Sequence, residues 1–347
     1  MTENMQTSRT QSRNEVDARC CLNKDKIFVV VVCGPTASGK TDMGIKLAKK
    51  TDGEIISADS MQIYRGMEIA SAKPSKDEME GVKHHLVDFL PPTEAFSVAN
   101  YVELARRCIE DIRCRGKLPI IVGGTGLYIS SLLDNIKFDD TASDSEFREN
   151  MKKIAEKEGN SVLWEKLKTV DPETAARLHP NNLNRVIRAL EVFHLSGSTM
   201  SRSVVRSRRE ETPYRACYIM PDYPRETLYD RINRRVDTML QKGLVDEARE
   251  FFSHTDYVTA AQAIGYKELK AYIDGKKELS ECIEKLKRAT RNYAKRQLTW
   301  FRREKDVTWI SRQDFRKAPD IDEDAAILDY MLCRLREKGI VTERRKG

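Results

Sequence analysis

Val29-Val30-Val31-Val32-Cys33-Gly34-Pro35-Thr36-Ala37-Ser38-Gly39-Lys40-Thr41 joins four β-branched residues directly to the pattern G-x-x-x-x-G-K-T. The residues that follow, Asp42-Met43-Gly44-Ile45-Lys46-Leu47-Ala48-Lys49-Lys50, suit a helix, so a buried strand, a tight loop and a helix N-terminus come in that order. A phosphate-binding P-loop needs this order. Its N–H groups and the helix dipole converge on an anion, Lys40 adds a point charge, and the Thr41 hydroxyl is placed to hold Mg²⁺. The expected fold is α/β, a P-loop NTPase-like parallel sheet flanked by helices. A diphosphate or triphosphate is expected on Gly34, Pro35, Thr36, Ala37, Ser38, Gly39, Lys40 and Thr41. The pattern does not say which phosphate compound binds.

The surrounding chain bounds the possibilities. At 347 residues with 40% hydrophobic composition, it is long enough for one large core and an attached subdomain. No apolar run approaches the length of a membrane span. Residues 1–26 are polar and mix Glu3, Glu15 and Asp17 with Arg9, Arg13 and Arg19, unlike a signal or transit peptide, and are read as a disordered extension. The eight cysteines form no C-x-x-C, which argues against a zinc module and a disulfide framework; a cytoplasmic monomer is expected. Lys and Arg number 61 against 54 Asp and Glu, and the net charge of +7 gains meaning where it is concentrated.

Downstream of the loop, Glu54-Ile55-Ile56-Ser57-Ala58-Asp59 reads as a short strand ending on an acid. Ligands collect at the carboxyl ends of parallel strands, so Asp59 belongs at the P-loop rim, as a Mg²⁺ ligand, a general base or a helix cap. Ser60, Met61 and Gln62 open a stretch of mixed polar and aromatic character without periodicity, suited to recognition. The adjacent His84 and His85 point to opposite faces of a strand and favour a structural role, with Asp88 a minor candidate for a second carboxylate at the phosphate site. After a helix from Ser97 to Arg115, the apolar run Leu118-Pro119-Ile120-Ile121-Val122 ends in Gly123-Gly124-Thr125-Gly126. Many P-loop ATPases carry an aspartate at the end of such a run. Here the glycines are read as admitting a ligand to the backbone, and Thr125 as a neutral hydroxyl donor; both count against plain ATP hydrolysis.

GPTASGKT, ADSMQIYRGMEIASAKP, IIVGGTGLY, HPNNLNRVIRALEV and YAKRQLTWFR together resemble the tRNA dimethylallyltransferases, the bacterial-type tRNA isopentenyltransferases, from about Ile27 to about Ile310 and in the family's order. The resemblance implies a P-loop core that holds the diphosphate of dimethylallyl diphosphate and a helical insertion that grips a tRNA anticodon stem-loop. It implies RNA contacts at Asp59, Ser60, Met61, Gln62, Thr125, Arg148, Asn184, Arg185, Val186, Ile187 and Arg188. Further contacts are implied at Gln262, Gly265, Lys295, Arg296, Gln297 and Arg302. An arginine of the amphipathic helix from Arg225 to Lys242 is implied at the diphosphate; Arg231 is preferred and Arg235, four residues on, is the alternative.

The residues are consistent with that division on their own account. Between Thr141 and Glu211 the β runs vanish and short helical patterns take over, giving a core of 27–140 plus 214–312, an insertion of 141–213, and a charged tail of 313–347 without assigned function. The long helix from about Ser280 to Arg303 carries the concentrated charge: Lys285 to Lys305 holds nine basic residues and one acid, Glu304. Its Tyr293, Trp300 and Phe301 are read as packing residues and its cations as phosphate contacts.

The expected chemistry is prenyl transfer to an exocyclic adenine amine. Lys40, the loop amides, Mg²⁺ and Arg231 stabilise the leaving diphosphate, Thr125 meets the bridging oxygen, and Asp59 takes the amine proton. The target is the adenosine on the 3′ side of the anticodon, flipped from its stack. Two alternatives share the first motif, an isopentenyltransferase acting on free adenine nucleotide and a P-loop small-molecule kinase. Neither has reason to carry two arginine-rich elements.

Overall fold

The computed structural model describes residues 26–136, 144–207, 211–254, 260, 263–315 and 322–341. The terminal extension expected over 1–26 lies almost wholly outside them. The chain forms two units, 1–133 with 213–347, and 134–212.

The first unit is built on a six-stranded sheet: β1 (Ile27–Cys33), β2 (Gly53–Ala58), β3 (His84–His85), β4 (Leu118–Gly123), β5 (Tyr214–Asp222) and β6 (Val307–Ser311). The order is β3-β2-β4-β1-β5-β6, with every pairing parallel. Val29 to Cys33 are fully buried, as a strand covered on both faces requires. Register then positions the chemistry. Cys33 pairs with Gly123, and Ala58 with the same Gly123, so β1, β2 and β4 end level, and the P-loop, Asp59 and Thr125 leave the sheet at one rim.

Helices α1 (Lys40–Thr51), α2 (Val98–Cys114) and α3 (Gly126–Leu133) follow β1, β3 and β4. Ser97 caps α2 in a reciprocal capping box with Asn100, which places its apolar stripe of Tyr101, Val102, Ala105, Ile109 and Ile112 on one sheet face. The other face is covered by α1 and, unexpectedly, by the end of the chain.

The second unit contains α4 (Ser145–Glu158), α5 (Asn160–Val170), α6 (Pro172–Arg177), α7 (Leu183–Ser196) and α8 (Met200–Ser207) around Leu163, Leu167, Val186, Ile187 and Leu190. It spans 134–212 where the sequence suggested 141–213; Asn135 already hydrogen-bonds the Glu211 carbonyl at 3.3 Å, so entry and exit are tied together before the helices begin. In the first unit the chain continues through α9 (Arg225–Gln241), α10 (Leu244–Ser253), α11 (Tyr266–Ile273), α12 (Leu279–Phe301) and α13 (Glu323–Glu337). The tail set apart from the core at 313–347 is thus corrected: Ile327, Met331 and Leu335, spaced by four, are buried against β1, β4 and β5, and Asp324 bonds Lys46 and Arg312, each at 2.6 Å. β6, which the sequence reading passed over, is the edge beside β5.

At the amino-terminal end of β2, Glu54 is 4% exposed and takes a forked pair of hydrogen bonds from Arg115 and one from His85 at 2.7 Å. Arg115 foremost, opposed by burial, holds its carboxyl down at about 2. Because the folded-state pKa lies below the unfolded one, this stabilisation is complete above the ordinary carboxylate range and is lost as pH falls toward 2. Arg115→Ala strands the buried carboxylate and is expected to cost about 3 kcal/mol in urea unfolding, with a flatter acid limb than the wild type. Unchanged stability would show that His85 and Lys83 suffice as partners.

Candidate active site

A cleft of about 1120 Å³ opens at the carboxyl rim of the sheet, within the first unit. Thr36, Ala37, Gly39, Lys40 and Thr41 line it from the P-loop, whereas Gly34, Pro35 and Ser38 are buried and do not line it. The loop depends on backbone that few residues adopt: Gly39 at φ 82° directly precedes α1, and even Ala37 sits at φ 63°. Ala37 packs with Leu228 and Ile232 of α9 and Ala294 of α12, which brace the loop from the far side.

Charge is concentrated on this loop. The Lys40 ammonium reaches the Pro35 carbonyl at 3.3 Å, and burial, then the nearby Arg235, lower its pKa to about 8 against the opposing pull of Asp59. Arg231 donates from Nε to the Ala37 carbonyl at 2.8 Å and lies over the Tyr223 ring, which fixes its guanidinium at the loop. Arg231 and Arg235, between which the sequence left a choice, both line the cleft, and burial lowers the pKa of Arg235.

Asp59 accepts from the N–H groups of Met61 at 2.9 Å and Gln62 at 3.4 Å, both through Oδ1; among the described residues Oδ2 takes no hydrogen bond. It caps its turn and still offers a free oxygen to the cleft. Thr125 accepts the Ser60 N–H at 3.2 Å and is fixed by its own N–H to the Ala58 carbonyl. Ser60 and Met61 line the cleft, and Gln62 does so with its amide spent on the Ala72 carbonyl and the Ser57 hydroxyl. Asp88, offered as a second carboxylate, bonds Lys73 at 2.5 Å instead.

The Gly-Gly-Thr-Gly turn is explained differently from the sequence reading. A Cβ on Gly123 would lie 2.3 Å from the Ala58 carbonyl oxygen, one on Gly124 would lie 2.1 Å from Gln297 Nε2, and one on Gly126 would strike the Trp300 ring at 2.3 Å. The glycines therefore admit β2 and the side chains of α12, not a ligand. Gln297, implied as an RNA contact, is 5% exposed with both amide atoms engaged: it accepts the Thr36 N–H at 2.9 Å and donates to the Gly124 carbonyl at 3.0 Å. It joins the P-loop to the β4 turn. Trp300 and Phe301 pack, with Trp300 donating to Ser130 at 3.0 Å, but Tyr293 lines the cleft.

Of the remaining implied RNA contacts, Gly265 and Arg296 line the cleft, and Gly265 at φ 117° packs so that a Cβ would lie 3.3 Å from that of Ala70. Lys295 and Arg302 are exposed on or just after α12, and Gln262 lies outside the described residues. In the second unit Asn184 and Arg185 are exposed, but Val186 and Ile187 are core residues at 0% and 2%, so those two are corrected from surface to interior. Arg148 and Arg188 converge on Glu191, a fully buried carboxylate that sequence inspection missed: Arg148 donates twice at 2.8 Å, Arg188 at 2.6 Å, and the Asp144 N–H completes the set. Glu247 was missed likewise; its carboxylate gathers the N–H groups of Glu68, Ile69 and Ala70 and the Tyr266 hydroxyl, shaping a loop that lines the cleft.

A P-loop beside a cluster of cations, next to a strand that ends without an acid, defines the class: a P-loop NTPase-like fold whose β4 lacks the terminal carboxylate of an ATPase. The IPP transferase family model matches residues 62–304 and the isopentenyl transferase model residues 27–93. The chain belongs to the tRNA dimethylallyltransferase family, a family of prenyl transferases. It is 52% identical over 290 residues to the tRNA dimethylallyltransferase of Bacillus subtilis, covering 83% of this chain and 92% of that one. Among solved structures, the tRNA isopentenylpyrophosphate transferase of Bacillus halodurans matches with a TM-score of 0.66 at 42% identity, over 90% of this chain and 98% of the other. A eukaryotic dimethylallyltransferase acting on tRNA matches with a TM-score of 0.74 at 28% identity, over 92% and 81% of the two chains.

Proposed function

We propose that the protein transfers the dimethylallyl group of dimethylallyl diphosphate to the exocyclic N6 amine of the adenosine 3′-adjacent to the anticodon in tRNA, as a monomer in the cytoplasm. The observation that carries this reading is the pairing, in one cleft, of a cation-lined P-loop with Asp59, while Thr125, at the end of the adjacent strand, stands behind the cleft wall on the Ser60 N–H. The diphosphate rests on the loop amides, with Lys40, Arg231 and Arg235 around it. As the amine nitrogen bonds to the allylic carbon, the carbon–oxygen bond breaks, diphosphate leaves with the electron pair, and Asp59 Oδ2 takes the amine proton. Thr125 hydrogen-bonds at the bridging oxygen.

Mg²⁺ fits this donor set. Thr41 supplies a hard oxygen beside the loop, and the remaining ligands of such an ion would be phosphate oxygens and water. When bound, it would neutralise charge on the leaving group. No helix among the described residues is long and apolar enough to cross a membrane.

The second unit supplies RNA contacts through Arg185 and Arg188. Because the cation and not the chemistry is removed, Arg188→Ala is expected to weaken anticodon stem-loop binding and to make log affinity against log salt shallower by about 0.7 to 0.9 for each phosphate it no longer neutralises. Turnover at saturating RNA stays near normal. An unchanged salt slope with a collapsed saturated rate would place Arg188 in the chemistry instead. The activity itself is tested by incubating protein, Mg²⁺, dimethylallyl diphosphate and the stem-loop and reading the RNA by mass for one added dimethylallyl unit.

A further inference from the structure

Tyr293 has no role in the chemistry so far assigned. It projects from α12 into the same cleft as Asp59, and burial, then the carboxylate charge of Asp59, raise its pKa, so the phenol stays protonated. Its surroundings are rigid. The next residue, Ala294, is fully buried against the P-loop residue Ala37, and Gln297, one turn on, is locked to Thr36 and Gly124. Arg296 lies over the ring at 5.5 Å. Thr125 and Gln297 hydrogen-bond the hydroxyl and pull its pKa down against burial and the Asp59 charge, as donors to its oxygen do, so the phenol's own proton stays uncommitted. The phenol proton can therefore turn to a ligand in the cleft.

The cleft thus presents an open acceptor, Asp59 Oδ2, and a donor, the Tyr293 hydroxyl, together. Adenine carries the complementary pair: the N6 amine donates, and the ring nitrogens that flank it, N1 and N7, accept. Guanine offers an oxygen where adenine has the amine, which would face the Asp59 carboxylate. We infer that Tyr293 recognises the acceptor base, donating a hydrogen bond to a ring nitrogen beside the amine while Asp59 receives the amine proton. This rests on the reading of adenosine as acceptor. The hydrogen bond selects adenine and holds the amine toward Asp59, so it acts in base recognition and orientation, in contrast to the packing role expected from the sequence.

The test pairs a side-chain deletion with an atom deletion. Wild type and Tyr293→Phe, which keeps the ring, are assayed for kcat/KM on stem-loops carrying adenosine, 1-deazaadenosine or 7-deazaadenosine at the target position. The expected loss is about tenfold for the variant on adenosine, the size of one hydrogen bond left unmade in a buried site. Removing one of the two nitrogens should cost the wild type a similar factor and the variant nothing more, and which nitrogen shows this identifies the edge that is read. Equal penalties from both deaza substitutions in wild type and variant, or a variant that matches wild type on adenosine, overturn the inference. A variant weakened only in stem-loop affinity, by the same factor whichever base stands at the target position, puts the hydroxyl's contact elsewhere on the RNA and overturns it too. Failure of the wild type to modify adenosine at all brings down the functional reading, and this inference with it.

Discussion

Asp59→Asn is expected to lower single-turnover transfer by about a hundredfold or more, the contribution of a positioned general base. Asparagine is the informative replacement because its side-chain oxygen still accepts from Met61 and Gln62, so the turn that Asp59 caps is preserved while its basicity is lost. Stem-loop and dimethylallyl diphosphate affinities should change little, which separates proton transfer from binding. Wild-type turnover in the variant would reduce Asp59 to a cap.

Lys40→Ala should be comparably damaging, by a different route. The loop loses the ammonium proposed to meet the phosphates, and removal of one such electrostatic partner commonly costs about 10² to 10³ in rate. Here the loss appears in diphosphate affinity as well, since the cation faces ground state and leaving group alike. The lowered pKa adds a pH signature. Lys40 is held near 8 by burial and by Arg235, and only its protonated form attracts the anion, so wild-type affinity for the diphosphate should fall as pH rises through about 8. The variant should lack that decline. A wild-type affinity that stays flat through this range would mean that Lys40 does not titrate in the free enzyme.

What the sequence disclosed of this site was what is local. β1, the P-loop and α1 are one continuous segment whose residue order carries its own physical logic, and Asp59 follows from a strand that ends on an acid. Level strand ends bring Thr125 to the same rim. Features that depend on distant partners are misread or unseen in the sequence. Gly124 and Gly126 look like a ligand approach until Gln297 and Trp300 arrive from a helix far along the chain. Glu191 is an ordinary helical residue in sequence, and only folding makes it the buried anchor of Arg148 and Arg188. The closing helix is hidden by composition: its charges mask the four-residue spacing of Ile327, Met331 and Leu335. Tyr293 reads as a packing residue because an aromatic on an amphipathic helix usually packs, and its neighbours Trp300 and Phe301 do.

The most direct measurement supplies the purified protein with Mg²⁺, dimethylallyl diphosphate and equal concentrations of an anticodon stem-loop with adenosine at the target position, the same stem-loop with guanosine there, and free adenosine monophosphate. The products are resolved by mass. One dimethylallyl unit on the adenosine stem-loop alone, with diphosphate released in equal amount, is the result expected. Prenylation of the free nucleotide with the stem-loops untouched would contradict the account.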